Sequence, residues 1–261
     1  MRFFWALLAT AWLAFAPLAA AGSLTLMGVG QAASSSGGGG GGSSLSQDAV
    51  AGTTGTSVTS LTWTHVVNSS ANLLVVAIAQ NGNAYNGVLC PTGNSITAGG
   101  VSMTRATNAI SGSTSIPRAA EIWTLSNPPT GSISIVASIA NTCNGGSDNV
   151  SVVAESISFL NAASSPIGTP SESASSSSGA SSLTQTTSSA NSRGLVVAVS
   201  AWRSTTATTA GSGEATIVHA LASTNVEGLV TTQPSSASTT DTHSNASSDQ
   251  SAMAALPINS N

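Results

Sequence analysis

The apolar and polar positions of the chain fall into a succession of short strand patterns. "SLTWTHVV" at 60–67 sets Leu61, Trp63, His65 and Val67 against Thr62 and Thr64, the two-residue period of a strand with one buried face. "NLLVVAIAQ" at 72–80 is continuously apolar, as expected of a central strand covered on both faces. "SITAGGVSMTR" at 95–105 places Gly99 and Gly100 between two alternating runs, a hairpin signal. "AEIWTLS" at 120–126 runs into Pro128 and Pro129, which have no place inside a central sheet. "SISIVASIA" (132–140), "VSVVAESISFL" (150–160), "GLVVAVSAW" (194–202), "ATIVHALA" (215–222), "GLVTTQ" (228–233) and "SAMAALPI" (251–258) complete the series. Helical periodicity is nowhere sustained. About ten strands of this kind predict an all-β chain, a single jelly-roll-like β-sandwich.

Two low-complexity segments interrupt the pattern. "SSSGGGGGGSS" at 34–44 reads as a slack tether, since no core can use such a run. "SESASSSSGASS" at 171–182 reads as a long exposed loop. Neither half of the chain alone shows enough strands for a convincing sandwich, so 47–261 is taken as one domain, preceded by a tether over 22–46. The first 21 residues are strongly apolar. Arg2, the run Phe3–Phe15 and the small residues Ala19–Ala21 fit a signal peptide cleaved before Gly22. An uncleaved hydrophobic anchor, the one part that would then meet a membrane, is the rival reading.

Composition narrows the functions. Charged residues make up 5% of 261, the net charge is −4, and the five basic residues are Arg2, Arg105, Arg118, Arg193 and Arg203. Nucleic-acid binding needs a clustered basic face and is excluded. Cys90 and Cys143 are the two cysteines. An even, low count behind an export signal predicts one disulfide between them.

The strand motifs "LTWTHVV…NLLVVAIA", "EIWTLSNPPTGSISIVASI", "VVAESISFLNAASSPIGTP", "GLVVAVSAW" and "AMAALPI" together span about residues 46 to 259. In them the chain resembles β-sandwich modules of exported bacterial surface proteins and of phage or virus structural proteins. The resemblance implies a sandwich fold and a contact role, and it carries no catalytic set.

Candidate chemistry is sparse. No G-x-S-x-G elbow occurs. His65, on the inward face with Trp63, reads as a core histidine with one satisfied nitrogen. Glu121 and Glu155 each lie in a strand run, where a solvated carboxylate at a sheet edge is the ordinary reading. Asp241 and His243 at i and i+2 share a strand face. With Asp249 they would form an oxygen-rich cation site, for Ca²⁺ if any ion, and no other cofactor is implied. Tyr85 in a loop, and Trp202 beside Arg203, offer contacts to a sugar; Trp202 reads equally as a cap on the sandwich.

The expectation is a non-enzymatic structural or display module, secreted or on a cell surface, or else part of a virion. It would act by self-assembly with copies of itself or another surface or particle protein, or by surface attachment. A carbohydrate-binding adhesion module is the alternative, and a metal-dependent hydrolase the second.

Overall fold

The computed structural model describes residues 42–81, 84–85, 88–89, 94–111, 117–139, 150–175, 179–189, 192–203, 207–223 and 226–261. Among them there is no helix, and the all-β expectation holds with more strands than the ten or so anticipated. In the N-terminal half these are β1 (Ser46–Val58), β2 (Ser60–Val67), β3 (Ala71–Asn81), β4 (Ala84–Tyr85), β5 (Val88–Leu89), β6 (Ser95–Ala98), β7 (Val101–Ser102), β8 (Thr104–Ile110), β9 (Arg118–Ser126), β10 (Gly131–Ser138) and β11 (Val150–Leu160). In the C-terminal half they are β12 (Ala162–Ile167), β13 (Ser171–Ala174), β14 (Ala180–Thr187), β15 (Leu195–Trp202), β16 (Thr209–Ala210), β17 (Ala215–Ser223), β18 (Val226–Pro234), β19 (Thr239–Asp249) and β20 (Ser251–Ser260).

The two halves repeat one topology. A large antiparallel sheet in order β1-β11-β3-β9-β8 is matched by β12-β20-β15-β18-β17, with β13 also paired to β20. A small sheet, β2-β10-β6-β7, is matched by β14-β19-β16. Each half therefore has a complete set of sandwich strands, contrary to the expectation that neither could close one. The repeat is visible in the residues once the topology is known. "SLTWTHVVNSSANLLVVAIA" at 60–79 aligns without gaps on "SLTQTTSSANSRGLVVAVSA" at 182–201, so β2 corresponds to β14 and β3 to β15.

The sheets stack in four layers, with the two large sheets facing each other at the centre. Their shared core takes Leu73, Val75 and Ile122 from one half and Val197, Val230 and Leu256 from the other. A second core lies between the large and small sheets of the N-terminal half, around Trp63, Ile78, Trp123 and Ile135. The third, in the C-terminal half, is much smaller: Leu183, Val196, Ala198, Trp202, Met253 and Ala255. This stacking explains the continuously apolar runs. β3, β15 and β20 bury both faces, because each large sheet has another sheet on either side.

Two segments differ from expectation. The Ser-rich stretch at 171–182 is not simply a loop, since β13 lies within it and β14 begins in it at Ala180. The chain also enters the fold before residue 47. Leu45 is buried, and its N–H donates to Arg193 O at 3.0 Å.

Candidate functional site

In the N-terminal sandwich the interior is mostly apolar, with two polar insertions. His65 is buried between Ser158 Oγ, 3.0 Å from Nε2, and Ser156 Oγ, 2.9 Å from Nδ1. It is a core histidine as expected, with both nitrogens satisfied rather than one. Burial pulls its pKa down to about 4, with Asp48 pulling weakly the other way. Glu121 accepts the Trp123 indole N–H at 2.9 Å, and Arg105 lies 3.7 Å from its other oxygen. Neither Glu121 nor Glu155 is a solvated edge residue, for both are buried. Glu121 alternates with Ile122 and shares the outer-layer face with Trp123, whereas Glu155 alternates into the central layer with Val153 and Ile157. Opposite faces of one sheet keep them from working as a pair.

The C-terminal sandwich is different. Strand register pairs Leu61 with Ala137 and Trp63 with Ile135 in the first half, and Leu183 with His243 and Gln185 with Asp241 in the second. Ala137 and Ile135 are thus replaced by His243 and Asp241, and Ile78 by Ser200 on the facing sheet. A chain of polar contacts fills the space. Ser200 Oγ lies 2.7 Å from His243 Nδ1 and accepts the Trp202 indole N–H at 2.9 Å. His243 Nε2 lies 3.0 Å from Thr231 Oγ1 and 3.1 Å from Glu214 Oε2. Asp241 accepts from the Gln233 amide at 2.7 Å, and its second oxygen is buried without a hydrogen bond.

Glu214 comes from the turn before β17 and was not singled out by sequence. Gly213 at φ +88° lets the backbone turn there, and Glu214 Oε1 accepts the Thr242 N–H at 2.6 Å. Burial alone would raise the Glu214 pKa, but hydrogen bonds from His243 and Thr242 hold it below the ordinary carboxylate value. Burial pushes Asp241 up to about 7, reinforced by the nearby charge of Glu214. The hydroxyl, imidazole and carboxylate of Ser200, His243 and Glu214 lie in series, yet all three side chains are closed off from solvent.

Of the predicted site residues, Asp241 and His243 do share one inward face of β19. Asp249 does not join them. It stands opposite Ala180, beyond a bulge in β19 that follows Ser244, and accepts from Ser247 Oγ at 2.7 Å. Among the described residues, no three His, Cys, Asp or Glu side chains are grouped closely enough to hold a metal ion. Trp202 is wholly buried, so no sugar can stack on it, and the role left to it is packing. Arg203 stays exposed beside it. The Tyr85 side chain, Cys90 and Cys143 lie outside the described residues.

The outward faces of the two small sheets carry hydroxyls instead of charges. On β2, β10 and β6 the outward positions include Ser60, Thr62, Thr64, Ser132, Ser134 and Ser95. On β14, β19 and β16 they include Ser182, Thr184, Thr186, Thr240, Thr242 and Thr209. Thr184 and Thr242 hydroxyls stand 3.3 Å apart, as do those of Thr186 and Thr240. Compared with family models, curated proteins and solved structures, the chain matches none.

Proposed function

We propose that the protein is a non-enzymatic display module, exported or carried on a particle, that acts by contact through the outer faces of its two sandwiches. The observation that carries this reading is the uncharged, largely hydroxyl covering of both faces, interrupted on the first by the exposed Val66. Most soluble surfaces keep charge for colloidal stability. A face meant to be covered gains from lacking it, because a buried charge costs several kcal/mol of desolvation. Serine and threonine offer a partner donors and acceptors on short side chains, which lose less rotamer freedom on contact than lysine or arginine would. In this reading the Gly/Ser run ahead of residue 45 serves as a spacer.

Self-assembly is the form of contact favoured here. The test introduces paired charges, Thr184→Arg with Thr242→Arg and, separately, Thr64→Arg with Ser134→Arg, into the full chain. The expected result is that the unaltered protein forms regular oligomers or particles in light scattering and electron microscopy. Their interfaces should bury at least about 1,000 Å², and one of the double substitutions should dissolve them. A monomer retained on glycan surfaces, with retention lost in the same variants, transfers the role to carbohydrate adhesion. A monomer that does neither removes the proposal.

A further inference from the structure

A second polar cluster lies at the other end of the C-terminal sandwich interior, and its parts are those of an acyl-transfer site. Thr208 stands just before β16, Asn245 in β19, Glu227 in β18 and His219 in β17. Thr208, Asn245 and Glu227 are buried. The Asn245 carboxamide nitrogen lies 3.2 Å from Thr208 Oγ1 and 3.3 Å from Glu227 Oε2. Glu227 Oε1 accepts the Thr208 backbone N–H at 2.6 Å and contacts His219 Nε2. On the far side, Asn245 Oδ1 accepts the Ser247 N–H at 3.0 Å, and the Ser247 hydroxyl, shared with Asp249, is also 3.0 Å away. At the matching strand positions the N-terminal half has Ile139 for Asn245, Ala119 for Glu227 and Asn94 for Thr208. The fold itself therefore does not need the cluster.

We propose that Thr208 and Asn245 become joined by an intramolecular ester, formed by the folded protein on itself. Thr208 Oγ1 attacks Asn245 Cγ, forming the O–C bond as its proton passes to the Glu227 carboxylate. The carbonyl oxygen becomes an oxyanion at Oδ1, where the Ser247 N–H already points. The Cγ–Nδ2 bond then breaks, Glu227 returns the proton to the departing nitrogen, and ammonia leaves. Hydroxyl plus carboxamide gives ester plus ammonia, with no oxidant or co-reactant. His219 holds Glu227 in place. A recess of about 260 Å³ lined by Ala207, His219, Ala220, Leu221 and Glu227 opens at the carboxylate and gives ammonia an exit. The carboxamide touches both the hydroxyl and the carboxylate, and this supplies the proximity that such a step needs. The product would staple the short β16 arm to β19, across a sheet with a small apolar core.

The test is the intact mass of the purified, reduced full chain. The expected result is a protein lighter by one ammonia, with a fragment linking Thr208 to Asn245 that alkaline hydroxylamine cleaves. Thr208→Val and Glu227→Gln should each restore the full mass, with their strand content checked by circular dichroism. A wild-type protein of full mass after prolonged incubation in the folded state overturns the proposal. So does an ammonia loss that persists in Thr208→Val, because that marks a succinimide formed by Asn245 with its own backbone.

Discussion

Asp241 is a carboxylic acid with nowhere to put a charge. Burial, and then the proximity of Glu214, raise its pKa from 3.8 to about 7, while one amide donor from Gln233 pulls the other way. Glu155 is a parallel case, raised to about 8 by burial and only partly relieved by a backbone N–H. The folded state keeps both protons that the unfolded chain gives up near pH 4. Stability is therefore full at low pH and falls as pH rises through the window from about 4 to 7 for Asp241, and to about 8 for Glu155. For Asp241 the loss is at most about 4 kcal/mol. Asp241→Asn should flatten the decline in urea midpoint between pH 4 and pH 8, and Glu155→Gln should add to the effect. Parallel pH profiles for wild type and both variants would mean that the acids ionise without penalty. His65 acts in the opposite sense. Its lowered pKa withholds a proton that the unfolded chain binds, so its contribution is lost as pH falls from about 6.5 towards 4. That Asp241 and His243 share one strand face was legible from their two-residue spacing, but that this face turns inward was not. Glu214 was not, because it reaches the interior from a turn, where no period applies.

At the scale of elements, strands were legible wherever the inward residues are apolar. β2 shows strict alternation and β3 and β15 show nearly continuous apolar runs. β14 has the same exposed-buried alternation as β2, but its inward residues are Leu183, Gln185 and Thr187. Hydrophobic periodicity fails there because the pattern is written in polar residues, and β19 with its inward Thr239, Asp241 and His243 hides in the same way. The repeat was missed for a related reason: Trp63 and His65 in one copy face Gln185 and Thr187 in the other, so the most conspicuous residues of β2 have no counterpart. With so few apolar contacts, the outer sheet of the C-terminal half depends heavily on Leu183. Leu183→Ala should cost about 2–5 kcal/mol. Hydrogen exchange should show faster amides in β14 and β19, with β2 and β10 unchanged. Uniform acceleration throughout the protein would show that the two outer sheets do not open separately.

At the scale of the whole molecule, the two sandwiches share a core and cannot be treated as beads on a string. The two large sheets approach closely at Gly228 in β18. A Cβ there would stand 2.7 Å from Val153 Cβ and 3.0 Å from Ala79 Cβ, both in the opposite large sheet. Its backbone is not in the left-handed region, so glycine is required by the close approach of the sheets and not by the turn of the chain. The corresponding residue of the first half is Ala120, opposite Ala79 as Gly228 is opposite Ala201. Small residues thus line the contact from both sides. Adding a methyl group forces two close-packed sheets apart at their centre, and overpacking of this kind costs about 1–3 kcal/mol. Because the contact belongs to both halves, Gly228→Ala should weaken them together. Amides of β3 and of β15 should exchange through one global opening in the wild type, and that opening should become easier by the same factor in both strands of the variant. If only β15 responds while β3 keeps its protection, the N-terminal sandwich stands without its partner, and the four layers are two independent modules in contact.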